Sequence, residues 1–133
     1  MKRRNFILLS VSTAAFITIP FVRCTSRNAP LAKSLSRPLF LSQICDANTL
    51  REIGNAYRAK SPDEATENQL VNKILGDQGY KAHFKDENDP RFLAFLDEKI
   101  HKDFSTDQTL IIKGWVVSTT EARQCALASL IKP

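Results

Sequence analysis

Residues 109–131 read TLIIKGWVVSTTEARQCALASLI, two patterns in succession whose changeover decides the fold. The first half, TLIIKGWVV, is dense in β-branched residues and interrupted by Gly114, which predicts an extended segment or a short hairpin. At Ser118 the period changes. Ser118 and Glu121 have the spacing of a capping box, so a helix opens there. Ala122, Cys125, Ala126, Ser129 and Leu130 give that helix a face of mainly small side chains, which lets another helix approach closely.

Working back from this stretch, the helical period dominates. DPRFLAFLDEKIHKDF is expected to open at Asp89 and Pro90, with Phe92, Leu93, Leu96, Ile100 and Phe104 on one apolar face. Residues 77–88 are polar and contain a glycine, and read as a loop. SPDEATENQLVNKILG is read as one helix capped by Ser61, with Pro62 at its first position, Glu64 closing a capping box and Gly76 ending it. DANTLREIGNAYRAK has Asp46 as its N-cap and Leu50, Ile53 and Tyr57 at helical spacing. PLFLSQI makes a first helical segment from Pro38, and TSRNAPLAKSLSRP before it reads as a tether. The expectation is a mainly α fold: a compact small domain of four or five helices with one short extended segment, spanning 38–133, after a flexible linker at 25–37 and a signal at 1–24.

The N-terminus is an address. FILLSVSTAAFITIPFV is an uncharged run broken by Pro20, short and polar for a stable membrane span. KRRNFIL resembles the twin-arginine export signal, with Arg3 and Arg4, one polar residue and then Phe6. That predicts export across a bacterial inner membrane, with an ordinary secretory signal or a retained membrane anchor as the alternatives. Two endings of the signal stay open. Cys24 stands where a lipoprotein signal places its lipidated cysteine, although Arg23 occupies the preceding small-residue position; the alternative is ordinary cleavage after Ser26. The mature protein is accordingly periplasmic or lipid-anchored, with the membrane reached only through the signal or the lipid.

The net charge of +5 invites a nucleic-acid reading, but Lys2, Arg3, Arg4 and Arg23 all belong to the signal. Without them 15 basic residues face 14 acidic ones, and no nucleic-acid footprint remains.

No catalytic, cofactor-binding or metal-binding constellation is legible. His83 and His101 lack partners at metal-ligand spacing, and the chain has four glycines but no phosphate-cradling loop. Cys-x-x-Cys pairs are absent and no serine has a nucleophile signature. With Cys24 lipidated or removed, Cys45 and Cys125 remain of the three cysteines, and in an oxidising compartment a disulfide between them is expected. It would close a loop of roughly 80 residues and contribute about 4 kcal/mol. Otherwise both are small buried hydrophobes.

A twin-arginine signal on a chain without a cofactor site points to export on behalf of a partner folded in the cytoplasm. KRRNFILLS, FLSQICDANTLREIGNAY and GWVVSTTEARQCALASL together resemble the small, cofactor-free subunits of flavin-dependent sugar and polyol dehydrogenases, the group of gluconate 2-dehydrogenase subunit 3 and the sorbitol dehydrogenase small subunit. The resemblance implies a non-catalytic subunit that assists folding and twin-arginine export of a flavoprotein of the glucose-methanol-choline type and stays bound to it. FAD would sit in the partner and no cofactor in this chain. Trp115, Glu121 and Arg123 form the candidate partner interface, Glu121 and Arg123 because they should project from the start of the last helix and Trp115 because it is the only tryptophan, the alternative being that Trp115 is simply a core anchor of this small domain. The alternative is a free-standing exported lipoprotein or envelope binding module with no flavoprotein partner.

Overall fold

A computed structural model describes residues 29–76 and 89–131. Arg3, Arg4, Phe6 and Cys24, and with them the signal, lie outside the described residues, as does His83.

The fold is mainly α, with six helices and one hairpin among the described residues. In chain order these are α1 (Ala29–Leu35), α2 (Leu41–Ile44), α3 (Ala47–Lys60), a 3-10 turn (Pro62–Glu64), α4 (Glu67–Leu75), α5 (Pro90–Ser105), β1 (Thr109–Ile112), β2 (Trp115–Ser118) and α6 (Thr119–Leu130). Among the described residues no helix is long and apolar enough to cross a membrane.

The ends of the elements follow local chemistry. Asp46 accepts from the Thr49 amide at 2.8 Å to start α3, and Asp89 accepts from the Arg91 amide at 3.0 Å to start α5. Gly76, at φ 75°, ends α4 in a conformation that suits glycine. At the end of α5 Asp107 turns left-handed, and the Gln108 amide reaches back to the Asp103 carbonyl at 2.8 Å, the Schellman closure of a helix. Lys113 and Gly114 both have positive φ, as the two-residue turn of a right-twisted hairpin demands, so 109–118 is a hairpin with Ile112 opposite Trp115.

α6 is the centre. It packs against α1, α3, α4, α5 and the hairpin. Its expected small-residue face meets α3, where a Cβ on Gly54 would lie 2.0 Å from the Cys125 carbonyl oxygen. Leu70, Val71, Ile74 and Leu75 of α4 and Phe92 and Leu96 of α5 complete the core. Burial at about 25 cal/mol per Å² makes these side chains the main favourable contribution to folding.

Two expectations need correction. Residues 29–35, read as part of the linker, form α1 and bury Ala32 and Leu35, so ordered structure begins before Pro38. The Leu31-Ala32-Leu35 spacing is short but helical, and α6 and α4 cover it. Ser61 and Glu64 also fail to form a capping box. Pro62–Glu64 is one 3-10 turn, and α4 starts from a second box in which the Gln69 amide donates to Thr66 Oγ1 and the Gln69 side chain accepts from the Thr66 amide. The TENQ box wins, leaving Glu64 available for a longer-range pairing.

Candidate functional site

α5 supplies the first half of the site. Its sequence stripe promised five apolar residues to the core, but only Phe92 and Leu96 are buried. Ile100 and Phe104, further along, face a groove of about 330 Å³ that is open among the described residues. Phe40 and Ile44 around α2 and Trp115 and Val116 of β2 line the same groove. Phe40 is 65% exposed, Val116 59%, Ile44 54% and Phe104 47%. Single exposed hydrophobics are ordinary, whereas several large ones lining one groove make it the candidate binding surface among the described residues.

The base of the groove is polar. Glu121 and Gln124, one turn apart on α6, both line it and are 3% and 0% exposed. Glu121 Oε2 accepts from the Ser118 amide at 2.9 Å while the Glu121 amide donates to Ser118 Oγ at 3.0 Å, so the capping box is formed and buried. Asp103 adds a second cap, accepting from the Thr120 amide at 2.8 Å and the Thr120 hydroxyl at 2.6 Å. These contacts hold the first turn of α6 rigidly beneath the groove. Gln124 differs, because neither its Oε1 nor its Nε2 has a hydrogen-bond partner. An unsatisfied buried amide costs about 1–3 kcal/mol.

The three residues expected at an interface separate here. Trp115 is half-buried, packed against the core on one side and lining the groove on the other. Glu121 and Arg123 do not project. Glu121 is consumed by the cap, and Arg123 turns to the other side of α6 and binds Glu64 through Nε at 2.7 Å and Nη2 at 2.9 Å. The Tyr57 hydroxyl donates to the same carboxylate at 2.7 Å. The Arg123 hydrogen bonds hold the Glu64 carboxyl below the usual carboxylate range against its partial burial, and burial together with Glu64 pushes the Tyr57 hydroxyl up. This bidentate pair joins the 3-10 turn to α6, so it is a fold contact.

Cys45 and Cys125 are both free, so the expected disulfide is not formed in this structure. Cys125 lies fully buried on α6, where burial, with Glu121 and Cys45 nearby, pushes its thiol up to about 12. Cys45 is half-buried against the same core, and desolvation followed by Asp46 raises it as well. Neither is poised as a nucleophile.

Among the described residues no cluster of His, Cys, Asp and Glu could hold a metal ion. His101, at the groove, has Nδ1 3.5 Å from the exposed Asp97 carboxylate. The groove thus offers apolar area, two carboxylates, an imidazole and a carboxamide.

Two of these features escaped the sequence reading. The groove could not be foreseen because Phe104 and Ile100 look like core when the neighbouring helix is unknown. Gln124 was hidden because α6 is enclosed on most sides and its sequence shows no polar face against which a buried amide would stand out. No family model, curated protein or solved structure matches this chain.

Proposed function

We propose that this protein is a non-catalytic, exported small subunit that binds a flavoprotein sugar or polyol dehydrogenase and accompanies it through the twin-arginine route. The observation that carries the reading is the apolar groove between α2, α5 and β2, whose large side chains stand half exposed on an otherwise well-packed domain. Aromatic anchors such as Phe40, Phe104 and Trp115 are the residue types around which binding energy concentrates. The export signal on Arg3, Arg4 and Phe6 and the sequence resemblance supply the partner class, with FAD held by the partner.

The test is recovery of the full, tagged chain from the cell envelope, followed by release of bound flavin on denaturation. Flavin in near-stoichiometric amount is expected with the wild-type chain. It should be lost from a Phe40→Ser, Val116→Lys double variant whose circular dichroism and melting are unchanged, since both side chains are more than half exposed. Changing Arg3 and Arg4 together to Lys retains charge and should leave both proteins in the cytoplasm. A wild-type chain that comes out of the envelope with no flavin would sink the reading in favour of a free-standing lipoprotein or envelope binding module.

A further inference from the structure

Among the described residues Gln124 is the one side chain whose buried polar atoms have no partner, and it lines the apolar groove. A carboxamide needs a neighbour that offers an acceptor to its Nε2 and a donor to its Oε1. A residue of an extended polypeptide offers both, because its own N–H and C=O point to the same side of the chain. From this we infer that the groove takes an extended, apolar segment of the partner polypeptide, with one backbone residue of that segment paired through both its N–H and C=O to Gln124. The inference rests on the partner-binding reading above and adds what the partner presents.

Other occupants fit less well. A fatty acid, carboxylate or phosphate would meet the carboxylates of Asp97 and Glu121; among the described residues no Lys or Arg lines the groove, and His101 already stands beside Asp97. That charge arrangement favours a neutral group, or the donor side of a peptide backbone. A small neutral molecule without both a hydrogen-bond donor and an acceptor would leave the Gln124 amide unsatisfied. An extended chain can cover base and rim together. β2 also belongs to a sheet of only two strands among the described residues, so a strand-like segment has an unpaired edge beside it. The Gln124 amide is shielded from solvent, so this pairing requires apolar side chains lining the groove, several of them half exposed, to shift when the segment binds.

This arrangement sets stability against binding. Replacing Gln124 with Met, similar in length and without the amide, removes an unsatisfied buried group and should leave the melting temperature equal or higher, while removing the pairing.

The probe is a displayed library of random twelve-residue peptides selected on the full wild-type chain. Enriched peptides should carry runs of apolar residues and be poor in Asp and Glu. Synthesised individually, they should bind Gln124→Met at least tenfold more weakly than wild type. A single backbone N-methylation at one position should weaken binding to the wild-type chain by a similar factor, a measurement that does not depend on any variant folding. No enrichment, or enriched peptides indifferent both to Gln124→Met and to N-methylation at every position, would overturn the inference. The two proposals fail separately. Flavin recovery that depends on Phe40 and Val116 without any peptide enrichment removes the peptide mode and leaves the flavoprotein reading. Peptides that require Gln124, in a chain recovered without flavin, do the reverse.

Discussion

α6 presents two faces that solve opposite problems. Toward α3 it shows Ala122, Cys125 and Ala126, fully buried, with Gly54 closing on the Cys125 carbonyl. Toward the groove it shows Glu121 and Gln124 under a rim of half-exposed apolar side chains. The α3 face is packed as a core is packed, with no room for one methyl group. The groove face carries an amide without partners and apolar surface without cover. A chain selected only for stability would have filled both, and departures from local consistency concentrate where a protein does its work.

The contrast can be broken first at its tight side. Gly54→Ala places a Cβ 2.0 Å from a backbone oxygen that cannot swing away, so α3 and α6 must move apart. The gain in helix propensity, about 1 kcal/mol, is too small to offset this. A net loss of about 3 kcal/mol is expected from overpacking, seen as a melting temperature lower by roughly 15 °C. A melting temperature within a few degrees of wild type would mean the two helices are not held at this distance.

Next in size is the Glu64 pair on the far side of α6. Glu64→Gln should lower stability by about 2 kcal/mol at neutral pH, the scale of hydrogen bonds to charged groups. Because the folded Glu64 carboxyl titrates below its ordinary value of 4.5, its stabilisation is complete above that pH and is lost as pH falls through the lower, folded value. Denaturant melts of wild type and Glu64→Gln should therefore converge as the solution is acidified below about pH 4. A constant gap between them down to acid unfolding would contradict the pairing.

On the open side the expected stability effect is smallest. Phe104→Ser removes a 47% exposed ring at the groove and should change stability by no more than about 0.5–1 kcal/mol, while flavin recovery falls. A large drop in melting temperature would place Phe104 in the core instead. A labelling experiment sharpens the comparison without altering the fold. In the reduced, folded protein iodoacetamide should modify Cys45, which is half-buried, and spare Cys125 until denaturant is added. Equal labelling rates would show that the α3 face of α6 opens readily.

Much of this architecture was legible from residue order alone, because it rests on interactions within a few residues of the chain. Asp46, Asp89 and the Ser118–Glu121 box start helices where their side chains can reach the next free amides, and Gly76 stops one where its backbone turns. The small-residue face of α6 likewise announced a close helix contact. What only the tertiary structure decided is which surfaces meet. Two capping boxes, Ser61–Glu64 and Thr66–Gln69, compete within nine residues; the second forms, and the Glu64 carboxylate left over pairs with Arg123, distant in sequence. The α5 stripe is uniformly apolar in sequence, yet it divides into a buried half at Phe92 and Leu96 and a half at Ile100 and Phe104 that faces the groove, where none of the described elements covers Phe104. Periodicity records which side of a helix avoids water; whether another helix, or another molecule, covers that side depends on contacts between residues far apart in the chain.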